Sequence, residues 1–247
     1  WGKLLRSPIA NGRILRINTE KARQVPGVAA VLTAADCPDI PWGPFVKDQY
    51  ILPRDNRVRF AGGEVAAVAA ATYEAACRAC NLIEVEYEEY PAVLDMRDSL
   101  KPGAPLIHPG GNLVTVMDFG DGDMAAAWRE AAYVVEETYT VPAVCQCPIE
   151  TVACLAEALP GGKLNLYLPC QMPYNERMLM AESLGLAEKD IRIIQAFIGG
   201  RGYASIKSSA SLALFLISCR RLPLLKAKCM NRPAAAIMNR PMIKARV

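Results

Sequence analysis

The chain has 247 residues, with 28 basic and 25 acidic side chains for a formal charge of +3 and 52% hydrophobic content. That length holds one large domain or two ordinary ones, and the composition excludes a disordered chain, a collagen-like repeat and a small disulfide scaffold. The longest uncharged apolar stretch, residues 208–219, is 12 residues, well short of the roughly 20 that a membrane span needs. No long apolar region follows the opening charge and no initiator Met stands at the start. The expectation is a soluble piece without a signal peptide and with an upstream part missing.

Short strands and helices alternate over the first hundred residues. Residues 12–17 alternate as a strand, Thr19 is expected to cap a short helix over 20–24, and residues 28–32 are apolar enough for a buried strand. Thr33 and Asp36 have the spacing of a capping box. After a Pro-rich loop come residues 57–60, the turn Ala61-Gly62-Gly63 and the apolar run 64–70, read as strand, turn and strand. A helix follows from Thr72, and then residues 83–87 alternate strictly, with Glu84 and Glu86 on the wet face at ordinary carboxylate pKa.

Turn-rich residues 101–112 read as a linker between a domain at 1–100 and a second at 113–247. Within the second, Asp123 caps a helix from Met124 to about Ala132, and residues 133–141 form a strand. Residues 152–158 and 163–168 make a hairpin around Pro160-Gly161-Gly162. A helix over 176–184 stops at Gly185, and a strand over 191–194 runs into Gly199-Gly200. This order of elements argues for a mixed α/β (α+β) fold.

Nine cysteines without a second CxxC, a His-rich segment or a four-cysteine cluster pattern read as reduced thiols, which places the chain in the cytoplasm. The single pair, Cys77 and Cys80, sits on the amphipathic helix. The lone His108 lies in a Pro/Gly turn with no nucleophile placed beside it. Charge is uneven: residues 208–247 hold no acid, whereas 207–247 hold nine bases. These bases are read as facing acidic surface elsewhere in the chain or in a companion subunit, not nucleic acid. The segment Phe197-Ile-Gly-Gly-Arg-Gly-Tyr203 lacks the third Gly of a dinucleotide fingerprint and the Lys of a P-loop. It remains a glycine-rich turn whose N–H groups can approach an anion or a cofactor oxygen.

Several motifs occur together in one order. They include Leu5-Arg-Ser-Pro8, Val25-Pro-Gly-Val28, Ala30-Val-Leu-Thr33, Tyr90-Pro-Ala-Val93, Gln171 with Pro173, and the Gly199-Gly200 loop. In this the chain resembles the molybdenum-binding large subunit of the xanthine oxidase family of molybdenum hydroxylases. The resemblance implies an α/β hammerhead domain followed by the first part of a molybdopterin-binding domain. It further implies a molybdenum–molybdopterin cofactor, with Gln171, Gly199, Gly200, Arg201, Gly202 and Tyr203 around it and no direct metal ligand. The catalytic Glu of the family would lie outside this chain. Electrons would pass to [2Fe–2S] clusters and FAD on partner domains or subunits, and the remaining molybdopterin-binding region would come from elsewhere. The substrate would be an aldehyde, a purine, an N-heterocycle or a similar small molecule. Departures are specific: Arg201 intrudes in the glycine loop, Cys170 replaces a Thr before the Gln, Asn11 replaces a His, and residues 145–150 replace a His-containing stretch ending in Met-Glu.

Overall fold

The structure, a computed structural model, describes residues 1–199 apart from 44, 45, 143, 145, 146, 148, 151 and 152. The glycine-loop residues Gly200, Arg201, Gly202 and Tyr203 and the basic end therefore lie outside the described residues. Three three-stranded sheets organise the rest.

In the first sheet, β5 (Glu64–Ala70) is central, between β1 (Gly2–Arg6) and β3 (Val28–Leu32), antiparallel to both. All seven residues of β5 are buried, because each face meets its own core. Ala66, Val68 and Ala70 pack with Ala75, Ala76, Ala79 and Cys80 of α2 (Tyr73–Asn81) and with Ala22 of α1 (Glu20–Arg23), while Ala67 belongs to the core on the other face. Small side chains suit a strand covered on both sides. Thr72 caps α2 by accepting from the Ala75 N–H. Thr19 does not cap α1: its hydroxyl accepts from Arg23 Nε and its backbone is not extended. The Thr33–Asp36 capping box forms in full.

The second sheet places β2 (Gly12–Asn18) between β4 (Arg57–Val58) and β6 (Glu84–Glu89). The expected strand–turn–strand at 57–70 forms, with Gly62 (φ +86°) in the turn, and β4 and β5 enter different sheets. Asn11, where the resemblance leads one to look for His, is buried and tied at both ends. Its Nδ2 donates to Pro91 O (2.8 Å) and its Oδ1 accepts from Arg57 Nη2 (3.2 Å). Glu84 does face solvent, but the Lys21 ammonium beside it holds its carboxyl below the ordinary range, correcting the expectation of an unshifted group.

Along residues 113–142 the helix α3 (Met124–Glu130) forms under the expected Asp123 cap. The strand expected at 133–141 does not form: these residues have no regular secondary structure and belong to none of the three sheets. In the third sheet β8 (Leu164–Leu168) pairs antiparallel with β7 (Leu155–Ala158) and parallel with β9 (Ile191–Gln195). The helix α4 (Pro173–Leu184) links β8 to β9, starting three residues earlier than the sequence pattern indicates and ending at Gly185, whose φ of +64° is the left-handed cap. Leu164, Leu166, Leu168, Met180 and Leu184 share one core with Leu32, Ile51 and Leu52 of the N-terminal part, so the two halves of the chain are packed together.

Gly12 tests this packing. A Cβ there would stand 2.3 Å from the Glu88 carbonyl oxygen across β2 and β6. Gly12→Ala is expected to cost about 1–3 kcal/mol, as overpacking does, read as a lower urea midpoint in equilibrium unfolding.

Candidate functional site

Two parallel strands cannot be joined by a tight turn, so the chain must cross over the sheet between them. With β8 and β9 in register from Leu164↔Ile191 to Leu168↔Gln195, both strands end on the same edge. Ala196 N–H donates to Leu168 O (3.1 Å) and holds that edge together. The carboxyl ends of parallel strands are where open α/β sheets place their ligands. Gln171 follows β8 there, and Gly199 follows β9. The structure thus brings these two sequence-predicted residues to one edge.

Alternation carries the site side chains in or out. Leu164, Leu166 and Leu168 point into the core, Pro169 and Cys170 remain buried, and Gln171 then emerges into solvent before Pro173 opens α4. The Gln171 amide makes no hydrogen bond with a described residue. Burial pushes the Cys170 thiol up, with a further rise from Glu176, so this cysteine is a packing residue beneath the Gln and not a reactive thiolate. The same holds for Cys80 and Cys37, pushed by burial to about 11 and about 12.

Gly199 is engaged from an unexpected quarter. Its N–H donates to Glu150 Oε2 at 2.7 Å, and a Cβ at 199 would come within 3.1 Å of the Glu150 Cβ. Glycine lets the two backbones approach. Glu150 closes the segment where the family has Met-Glu, and that correspondence was the signal in the sequence that it belongs to this edge. This contact also tests the fit of an anionic cofactor: the loop amide already accommodates a negatively charged oxygen. Among the described residues no group of His, Cys, Asp and Glu could hold a metal ion. A neutral amide and a backbone N–H suit the oxygen atoms of a group whose metal is carried by that group's own sulfur ligands. The residues present fit molybdopterin in this sense.

Glu176, in the first turn of α4, is 4% exposed and its Oε2 has no hydrogen-bond partner among the described residues. Burial pushes its carboxyl up to about 7. No pattern in the sequence marks it. His108 Nε2 lies 3.9 Å from Asp48 Oδ2, away from this edge and with no nucleophile, as its turn context indicated.

The fold is that of a hammerhead domain followed by part of a molybdopterin cofactor-binding domain. Residues 1–91 match the a/b hammerhead domain of aldehyde oxidase and xanthine dehydrogenase, and residues 107–240 match the molybdopterin cofactor-binding domain. The chain belongs to the xanthine oxidase family of molybdenum hydroxylases. It is 35% identical over 201 residues to a probable xanthine dehydrogenase subunit of Bacillus subtilis (strain 168), covering 81% of this chain and 27% of that protein. It is 32% identical over 212 residues to the xanthine dehydrogenase molybdenum-binding subunit of Escherichia coli O157:H7, covering 81% of this chain and 28% of that one. Quinoline 2-oxidoreductase from Pseudomonas putida 86 superposes with a TM-score of 0.75 at 28% identity, over 87% of this chain and 29% of the larger one. The chain therefore spans little more than a quarter of the length of these relatives. No helix among the described residues is long and apolar enough to cross a membrane.

Glu176 sets a pH dependence of stability. Its folded value of about 7 lies above its ordinary value of 4.5. Below the ordinary value both states are protonated and nothing is lost. As pH rises the unfolded chain ionises first, so stability falls until the folded pKa is passed. The full loss, about 3 kcal/mol, is then present. Glu176→Gln is expected to raise the melting temperature at pH 8 and leave it nearly unchanged at pH 4, measured by thermal unfolding.

Proposed function

We propose that the chain forms part of the molybdopterin-binding unit of a molybdenum hydroxylase, with residues 1–100 as its hammerhead domain, 101–112 as linker and 113–247 as a partial molybdopterin-binding domain. The observation that carries this is the convergence of Gln171 and Gly199 at the carboxyl edge of β8 and β9, in a chain of this family. When bound, molybdopterin supplies a sulfur-held molybdenum centre that hydroxylates an activated carbon with oxygen drawn from water and releases electrons to [2Fe–2S] and FAD partners.

This chain's contribution is positional. Gln171 presents an unengaged amide that donates through Nε2 to an oxygen acceptor on the cofactor. It stands between buried Cys170 and Pro173, which opens α4. Gly199 offers a backbone N–H to a second oxygen, and Glu150 keeps the loop backbone in place until the cofactor arrives. The catalytic carboxylate, most pterin contacts, the Fe–S subunit and any FAD subunit lie on polypeptide outside this chain. The substrate class is an aldehyde, purine, N-heterocycle or similar molecule. Reduced thiols at Cys37, Cys77, Cys80, Cys147 and Cys170 support a cytoplasmic site of action.

A second reading, an assembly subunit without chemistry, rests on Arg201 in the glycine loop. One experiment separates them. In the native complex, metal analysis and pterin extraction are expected to find one molybdenum and one pterin per copy of this chain. Gln171→Ala is expected to retain both and to lower kcat about 10- to 100-fold, the loss of one hydrogen bond to a charged group. A complex devoid of molybdenum removes the proposal, and unchanged turnover in a molybdenum-loaded variant favours the assembly reading.

A further inference from the structure

Helix α4 brings one further acidic side chain to the candidate edge. Glu176, in its first turn, is buried, and its Oε2 has no hydrogen-bond partner among the described residues. Two contacts set it against the turn that carries Gln171. Its N–H donates to Met172 O (3.0 Å), and its charge reaches the buried Cys170 thiol, whose pKa it raises. That turn is lightly held. Pro169 and Pro173 have no N–H to donate, and the Met172 side chain makes no capping hydrogen bond to α4.

The neighbouring charges are engaged elsewhere or face away. Arg177, the next residue, pairs with Glu188 (3.5 Å) and lies over the Tyr174 ring. Lys47, from the loop after β3, pairs with Glu182 further along α4. After α4, Lys189 is exposed and Asp190 half-buried. On the sheet, Leu164, Leu166, Leu168 and Ile191 share the core with α4, so alternation puts Tyr167 and Arg192 on the other face. Burial is the one cause that raises the Glu176 carboxyl, to about 7. A neutral acid can stay beneath the turn, whereas a carboxylate with neither donor nor counter-charge is driven toward water. We propose that Glu176 is a positioning residue for Gln171: protonated, it lets the turn at 169–172 sit closed on the core, and ionised, it lifts that turn and carries the Gln171 amide out of line. The role in positioning rests on the reading of Gln171 as a donor to the cofactor; the movement does not.

Two buried thiols report the movement. Cys170 lies in the turn itself, and Cys80 lies in the separate core of α1 and α2, where it registers general loosening. Full-length chain is treated with N-ethylmaleimide, and the labelling rates at both are read by mass spectrometry. Well below the thiol pKa both rates rise equally with pH, so their ratio removes the thiolate effect. The ratio of Cys170 to Cys80 is expected to rise about tenfold between pH 6 and pH 8, following ionisation of the acid. In Glu176→Gln it is expected to stay flat. The direct field of the carboxylate slows Cys170, so it cannot mimic the rise. In the molybdenum-loaded native complex kcat is expected to fall over the same interval with KM unchanged, and Glu176→Gln removes the fall. A flat ratio in the wild-type chain, or a rise that persists in Glu176→Gln, overturns the movement. A kcat profile that ignores the substitution in a loaded complex overturns the positioning of Gln171. A complex devoid of molybdenum fails the cofactor reading instead, and the labelling ratio then decides the movement alone.

Discussion

The site depends on the parallel pairing of β8 with β9. Because parallel neighbours cannot share a hairpin, α4 must carry the chain back across the sheet, and both strands release their loops at one edge. Gln171 and Gly199, the described candidates, take their places from that. Gln171 leaves the first strand, Gly199 leaves the second, and α4 roofs the core beneath them. A crossover also needs cover on the side where it packs, which the alternating leucines of β8 and the Met180 and Leu184 side of α4 provide for each other.

That core does not end at the sheet. Ile51 and Leu52, from the loop after β3, sit in it with the β8 leucines, and Lys47 from the same loop pairs with Glu182 of α4 (2.5 Å). The exposed ion pair adds little by itself. The buried pair of aliphatic residues adds more, since each fully buried side chain of that size is worth about 1.5–3 kcal/mol. The N-terminal half thus supports the helix that sets Gln171. β5 makes the connection possible: its alanines face the α1 and α2 core on one side and admit the shared core on the other.

Local patterns were readable where the physics is local. The capping box at Thr33, the cap at Asp123 and the glycine stop at Gly185 each depend on a few neighbouring residues, and each formed as spaced. The failures lie where distant partners decide. Residues 57–70 form the strand, turn and strand that the pattern indicates, but nothing in the sequence says that β4 and β5 enter different sheets. Residues 133–141 have the alternation of a strand but no partner among the described residues. Gln171 entered as a candidate through family motifs alone, whereas the spacing of the glycines already marked 199–202 as a turn whose N–H groups can approach an anion. Glu176 was invisible because its environment is made by burial, which a single acidic letter in an amphipathic run does not reveal.

The pairing of β2 with β6 has a kinetic side. Gly12 bonds across to Glu89, and Asn11 O accepts from Tyr90 N–H, so the second sheet cannot close until residue 90 is available. At ordinary synthesis rates the first strands wait on the order of ten seconds with their edges open. Such long-range pairing also slows the search once the chain is free. During that interval the nascent N-terminal third is a set of unpaired strand edges, and its chief hazard is association with its neighbours on the same message.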